Sequence, residues 1–207
     1  IFEGILPNAV TFVYCLKACG CLGATQKILE LHGEIESMGL LVEDIELGNA
    51  VIHAYGKSGT LFVAKHVFEK LTLHNVVSWN SLLGGYAYHG MIDGFFCTFN
   101  RMIFEHAKPD PITFLLVLSV CNHLIHPSEY DTFFKHLAKH FGVVPSNKHD
   151  IQRISYLCRK GHLHEAMRTI KSITSLDNVT IWRVLLSSCT YYGTFDIGVH
   201  AFEHTMS

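Results

Sequence analysis

A glycine recurs along this 207-residue chain at Gly23, Gly59, Gly90, Gly161 and Gly193, in steps of 36, 31, 71 and 32 residues. The long step divides into 35 and 36 around Ile125, so one unit of six has lost its glycine. A period of this length marks an array in which each unit is one supersecondary element and neighbouring units bury a shared core. Function in such a chain is sought along a surface common to several units, not in one pocket.

With the glycine set at the fifteenth residue, the units are 9–44, 45–75, 76–110, 111–146, 147–178 and 179–207, the last cut short, and residues 1–8 read as the tail of a preceding unit. Each unit is an apolar segment, the glycine, then a second apolar segment. In 76–110, Val77, Leu82, Leu83 and Tyr86 share helical spacing before the glycine, and Phe95, Phe99 and Met102 share it afterwards. The glycine suits a left-handed turn between two antiparallel helices. Pro109, Pro111 and Pro145 fall at unit boundaries, where proline interrupts a helix. The register extends to other positions: the fourth residue is Phe12, Trp79, Phe114 or Trp182. The eleventh is Cys19, Tyr55, Tyr86, Cys121, Leu157 or Cys189. The twenty-fourth is His32, Phe68, Phe99, Phe134, Ile170 or Phe202. Periodic bulky residues of this kind are expected in the core. The expected fold is an all-α, right-handed solenoid of stacked helix-turn-helix repeats, about five and a half helix pairs.

Hydrophobic residues make up 49% of the chain and charged residues only 16%, which suits helices covered on two sides. The longest apolar stretch, Phe114 to Cys121, is far short of the ~18 residues a membrane span needs, so no membrane association is expected. A net charge of −2 argues against nonspecific polyanion binding but leaves room for a selective single-strand reader. Seven cysteines, an odd number without framework spacing, fit a reducing intracellular compartment. No targeting segment is visible, and Ile1 falls inside a repeat.

At this level of detail the chain resembles the plant pentatricopeptide repeat (PPR) family, in its subclass of alternating long, short and standard repeats. LGNAVIHAYGKSGTLFVAKHVFEKL (47–71) is similar to that family's short repeat, NVVSWNSLLGGYAYHG (75–90) to its standard repeat and ITFLLVLSVCNH (112–123) to its long repeat. RKGHLHEAMRTIKSI (159–173) followed by VTIWRVLLSSCTYYGTFDIGVHAFEH (179–204) resembles the end of an array entering the C-terminal E extension. A tetratricopeptide array would hold close to 34 residues throughout. The resemblance implies long repeats at 9–44 and 111–146, short ones at 45–75 and 147–178, a standard one at 76–110 and an E1-like, truncated one at 179–207.

It also implies a function: single-stranded RNA bound along the concave face, one base per repeat. The fifth and last residues of each unit contact a base edge, and the second residue packs on the base. The implied reading pairs are Asn80 with Asp110, favouring uracil, and Asn49 with Asn75, favouring pyrimidines and often cytosine; the implied packing residues are Val77, Val10 and Ile112. Val13 with Asp44, Leu115 with Ser146 and Ile151 with Asn178 pair an aliphatic fifth residue that cannot hydrogen-bond a base, so those units are assigned none. Glu46 stands where unit two would carry an apolar packing residue. The family role implied is target recognition for C-to-U editing in a mitochondrion or chloroplast, with a deaminase or editing-complex protein docking at 179–207. The chain itself is read as a monomer and a non-enzyme without cofactor or metal.

Chemistry of other kinds is weakly signalled. His32-Gly33-Glu34 matches the H-x-E of zinc deaminases, but there is no C-x-x-C, and His32 falls on the repeating apolar position. His136/His140 and His200/His204 have the i, i+4 spacing of helical zinc ligands without an evident third ligand. Cys15, Cys19 and Cys21 read as structural. The competing functional readings are a tetratricopeptide-like scaffold for protein partners, a PPR factor for organelle RNA processing or splicing, a metal enzyme using the histidine pairs, and a decayed or partial copy.

Overall fold

The computed structural model describes residues 7–121, 132, 135–136, 138–142, 144, 146–173 and 179–206. Among them are twelve α-helices and no strand: α1 (Ala9–Leu22), α2 (Thr25–Ser37), α3 (Leu40–Glu43), α4 (Ile45–Lys57), α5 (Leu61–Lys70), α6 (Val76–Tyr88), α7 (Ile92–Phe104), α8 (Pro111–Cys121), α9 (Asn147–Arg159), α10 (Leu163–Ser172), α11 (Val179–Tyr192) and α12 (Phe195–Met206). The chain forms two compact units, Ile1–Leu116 and Val117–Ser207.

Local sequence explains where the helices start and stop. Asn8, Asp44, Asn75 and Asp110 each precede a first helix and accept a backbone N–H from its first turn, from Thr11, Leu47, Ser78 and Thr113 at 2.9, 3.0, 2.9 and 2.8 Å. Each first helix of the five glycine-bearing pairs ends in one motif. The residue after the glycine donates its N–H to the carbonyl of the eleventh residue: Ala24 to Cys19, Thr60 to Tyr55, Met91 to Tyr86, His162 to Leu157 and Thr194 to Cys189, at 2.9–3.1 Å. That closure requires a left-handed residue between them, and the five glycines supply φ of +64° to +84°.

In the first unit, α1, α4 and α6 pack side by side. Helices α2, α5 and α7 each fold back on their own partner, and α2 and α5 also touch the first helix of the following pair. The α4–α6 crossing is very close: a Cβ on Gly85 would lie 2.8 Å from the Gly56 Cα and 2.9 Å from Leu61 Cδ2. Trp79 of α6 is buried, edge-on to Phe68 of α5 at 4.7 Å, an aromatic contact worth about 0.5–1.5 kcal/mol beyond its area. The second unit repeats the pattern, α9 with α10 and α11 with α12, with α11 packed on both α9 and α10.

Most periodic positions are core, with exceptions. Phe12, Trp79, Phe114 and Trp182 are buried, as are Tyr55, Tyr86, Cys121, Leu157 and Cys189, and Phe68, Phe99 and Ile170. Cys19 and His32 are half-buried, and His32 takes a polar partner, the Tyr55 hydroxyl, 3.1 Å from its Nδ1. Phe202 is exposed on α12, and Val77 is exposed although it shares the helical spacing of Leu82, Leu83 and Tyr86. Cys15 and Cys21 are exposed and Cys19 half-buried, so a structural role for the trio does not hold for the outer two. Ile125, Phe134, Pro145, Asn178, residues 1–6 and the end of the 112–123 segment lie outside the described residues.

Candidate nucleic-acid interface

The fifth residue of a unit and its last residue, which caps the next unit's first helix, meet in space. Asn80 Nδ2 donates to Asp110 Oδ1 at 2.9 Å, thirty residues away in sequence. One repeat earlier, Asn49 Nδ2 donates to Asn75 Oδ1 at 3.4 Å. Each capping oxygen also accepts the backbone N–H three residues on and lies within reach of a hydroxyl there, Thr113 or Ser78. In turn that hydroxyl oxygen accepts the N–H of the capping residue, completing a capping box. Asn75 and Asp110, the last residues of their units, are therefore fixed by local helix chemistry, and each fixes the fifth-residue amide of its own unit.

The two pairs differ in charge and in what remains unpaired. Burial alone would raise the Asp110 pKa, but bonds from the Thr113 backbone, the Asn80 amide and the Thr113 hydroxyl outweigh it and hold the carboxyl below its ordinary range. Asp110 is thus a fixed acceptor. The Thr113 hydroxyl also reaches Asn80 Oδ1 at 2.7 Å; its single proton serves either Asn80 or Asp110 at one time. Ser78 makes no such bond to Asn49, whose Oδ1 is buried without a partner. An unpaired buried acceptor costs about 1–3 kcal/mol, so this atom favours any ligand that brings a donor.

Asn49 is 6% exposed and Asn80 9%, so each amide presents only an edge. Asn49 and Asn75 nevertheless line an open cleft of about 370 Å³ with Val13, Lys17, Glu46, Ala50, His53, Val77 and Ser81. Val77 is 51% exposed, and Val10 and Ile112, at the same repeat position on α1 and α8, are exposed too. Exposed aliphatic side chains thus recur at one repeat position on three first helices. Among the fifth residues expected to be mute, Val13, Leu115 and Ile151 are half-buried aliphatics.

The sequence reasoning missed Thr113, Ser78, Lys17, His53 and Ser81. Thr113 and Ser78 were legible as hydroxyl residues three places after a capping residue, a spacing that also joins Asn8 to Thr11. Nothing in the spacing alone placed Lys17 and His53 in one cleft. In the second histidine pair His204 stacks on Trp182 at 4.3 Å and His200 lies 3.8 Å from Glu203, while His136 and His140 are exposed. Among the described residues no group of three or more His, Cys, Asp or Glu could hold a metal ion, and no helix is long and apolar enough to cross a membrane.

Comparison with known proteins bears on the same residues. The sequence profile of the PPR repeat family matches 74–123, and that of the single PPR repeat matches 49–76. A pentatricopeptide repeat-containing protein of Arabidopsis thaliana is 34% identical over 200 residues, 97% of this chain and 24% of its own length. The chain belongs to the pentatricopeptide repeat family. Another Arabidopsis relative of the same description is 31% identical over 204 residues, covering 99% of the chain and 28% of the relative. A third, whose name carries the word chloroplastic, is 30% identical over 191 residues, covering 92% and 22%. The chain spans about a quarter of the length of these curated relatives. Among solved structures, maize PPR10 in complex with an 18-nt psaJ RNA element matches with a TM-score of 0.63 at 15% identity, over 99% of this chain and 29% of PPR10. The fold is therefore an all-α helical-repeat solenoid of the PPR type.

Proposed function

We propose that the chain binds single-stranded RNA selectively, one base per repeat, as the target-recognition part of C-to-U editing in a plant mitochondrion or chloroplast. The observation that carries this reading is the recurrent pair: the fifth-residue amide of two successive repeats is hydrogen-bonded to the last residue of its own unit, 3.4 Å for Asn49 and Asn75 and 2.9 Å for Asn80 and Asp110. In this reading Asn80 and Asp110 favour uracil, Asn49 and Asn75 a pyrimidine, and Val77 and Ile112 flank the base read by Asn80. Val10 serves the first unit in the same way. The solved RNA complex of maize PPR10 supports a nucleic-acid ligand, and the word chloroplastic in one relative's name supports an organelle.

The repeats are long at 9–44 and 111–146, short at 45–75 and 147–178, standard at 76–110 and E1-like at 179–207. That last repeat is the docking point for a deaminase or another editing protein, and the chain acts as a monomeric recognition module, not as an enzyme. With two reading pairs and a net charge of −2, binding is expected to be weak and selective. Fluorescence anisotropy with labelled oligouridine, oligocytidine, oligoadenosine and oligoguanosine tests this. Preference for the pyrimidine oligomers is the expected result. Equal affinity for all four, or partners in a pull-down that survive RNase treatment while no oligomer binds, contradicts it.

A further inference from the structure

Lys17 and His53 are the ninth residues of successive units, on helices α1 and α4 that pack side by side. Both line the cleft that holds Asn49 and Asn75. His53 follows Asn49 by one helical turn, a rise of about 6 Å. The cleft therefore offers two different demands a turn apart. At one end Asn49, whose buried Oδ1 has no donor, lines the cleft with Asn75; at the other, Lys17 and His53 share it with the Glu46 carboxylate, which forms no ion pair with either among the described residues. A ligand that answers both has an N–H donor at one end and an anion at the other, as a nucleotide does.

We propose that Lys17 and His53 form an anion seat that takes a backbone phosphate of the nucleotide presented to Asn49 and Asn75. This rests on the RNA-binding reading and adds to it a contact that is independent of base identity. Both lysines have an aromatic neighbour, Lys57 Nζ 3.8 Å from the centre of the Tyr88 ring and Lys17 Nζ 5.6 Å from that of Tyr14, but only Lys17 lines the cleft.

The seat has a built-in proton dependence. Burial, then Lys57 and Lys17, hold the His53 imidazole below its ordinary pKa, so it is neutral near pH 7 in the free protein. The charged groups around it are Lys17 from α1 and Lys57 and Glu46 from its own helix; α6 turns Val77 and Ser81 to the cleft. Lys17 and Glu46 offset each other, so protonation of His53 tips the cleft to net positive. A bound phosphate favours the imidazolium and raises its pKa. Binding then takes up a proton, and affinity rises as pH falls through the bound-state pKa and levels off below the free-state one.

The test is anisotropy with a mixed-pyrimidine RNA oligomer on the full chain and on His53→Gln, His53→Asn and Lys17→Gln, each checked for an unchanged urea midpoint. Wild-type affinity should tighten a few-fold between pH 7.5 and 6.0, and either His53 variant should lose that excess. Lys17→Gln should weaken all sequences alike and reduce the slope of log affinity against log salt by about 0.7. Variants that match wild type in both pH profile and salt slope, while Asn49→Leu still alters base preference, overturn the seat and leave the base-reading scheme standing. Wild-type protein that binds no RNA at all overturns both.

Discussion

Asn80 donates from its side-chain amide to the Asp110 carboxylate at 2.9 Å, and Asp110 at the same time caps helix α8 through the Thr113 N–H. One carboxylate thus has a structural duty and a proposed reading duty, and substitution separates them. Asp110→Ala removes both and should lower stability by about 1 kcal/mol, the usual value of a capping side chain. Asp110→Asn keeps a capping oxygen and should unfold at nearly the wild-type urea midpoint, while its base preference moves from uracil toward that of the Asn49–Asn75 unit. Paired urea titrations and competition binding read the two effects apart.

The same carboxylate gives a pH signature. A group whose folded-state pKa is depressed contributes stability that is present above its unfolded pKa and lost as pH falls through the folded one. Asp110 is depressed by its hydrogen bonds against the opposing effect of burial. Wild-type stability should fall from about pH 5 downward, where unfolded aspartate begins to protonate. Asp110→Asn should flatten that part of the profile; an unchanged acid limb argues against the hydrogen-bonded carboxylate.

Asn49 and Asn80 should respond oppositely to an apolar side chain. Asn49 Oδ1 is buried and unpaired, and three other units carry Val, Leu or Ile at this position. Asn49→Leu should therefore leave stability unchanged or raise it by about 1 kcal/mol, the lower end of the cost of an unmet acceptor, while RNA affinity drops. Asn80→Leu breaks bonds to both Asp110 and Thr113 and should destabilise by about 1–3 kcal/mol. Equal unfolding midpoints for the two variants would contradict this account.

Adjacent glycines in α6 provide a packing test. A Cβ on Gly85 meets the Gly56 backbone at 2.8 Å, whereas one on Gly84 meets nothing closer than Leu116 Cδ2 at 3.9 Å. Gly84→Ala should be neutral or stabilising by up to about 1 kcal/mol, as alanine favours a helix interior. Gly85→Ala forces α4 and α6 apart and should cost about 1–3 kcal/mol, the range for overpacking. Calorimetric melting of the two variants gives the comparison.

The repeat was legible because two rules that depend on few residues recur. Glycine at the fifteenth position meets a left-handed turn that other residues resist, so Gly23, Gly59, Gly90, Gly161 and Gly193 announced the hairpins. Large residues at the fourth position fill the inter-helix space, so Trp79 and Phe114 announced the core. Periodicity was a poorer guide to Val77, because an apolar residue on a helix does not state which way it faces. Phe202 shows the same limit, sharing a register with Phe68 and Phe99 but not their cover. The candidate site divided likewise. Asn49, Asn75, Asn80 and Asp110 were read from a family pattern, and the hydrogen bonds that join them depend on a return of the chain no spacing rule contains. Lys17 and His53 sit 36 residues apart and converge only because α1 and α4 lie side by side.

The central claim is that Asn80, held by Asp110, reads a base. Asn80→Thr with Asp110 retained, in competition binding against RNAs that differ only at the base opposite the 76–110 repeat, tests it most directly. A good side-chain-to-base pairing discriminates by about 1–3 kcal/mol, well within the resolution of such an assay. The account predicts a shift from uracil toward guanine; a variant that binds RNA with the wild-type preference contradicts it.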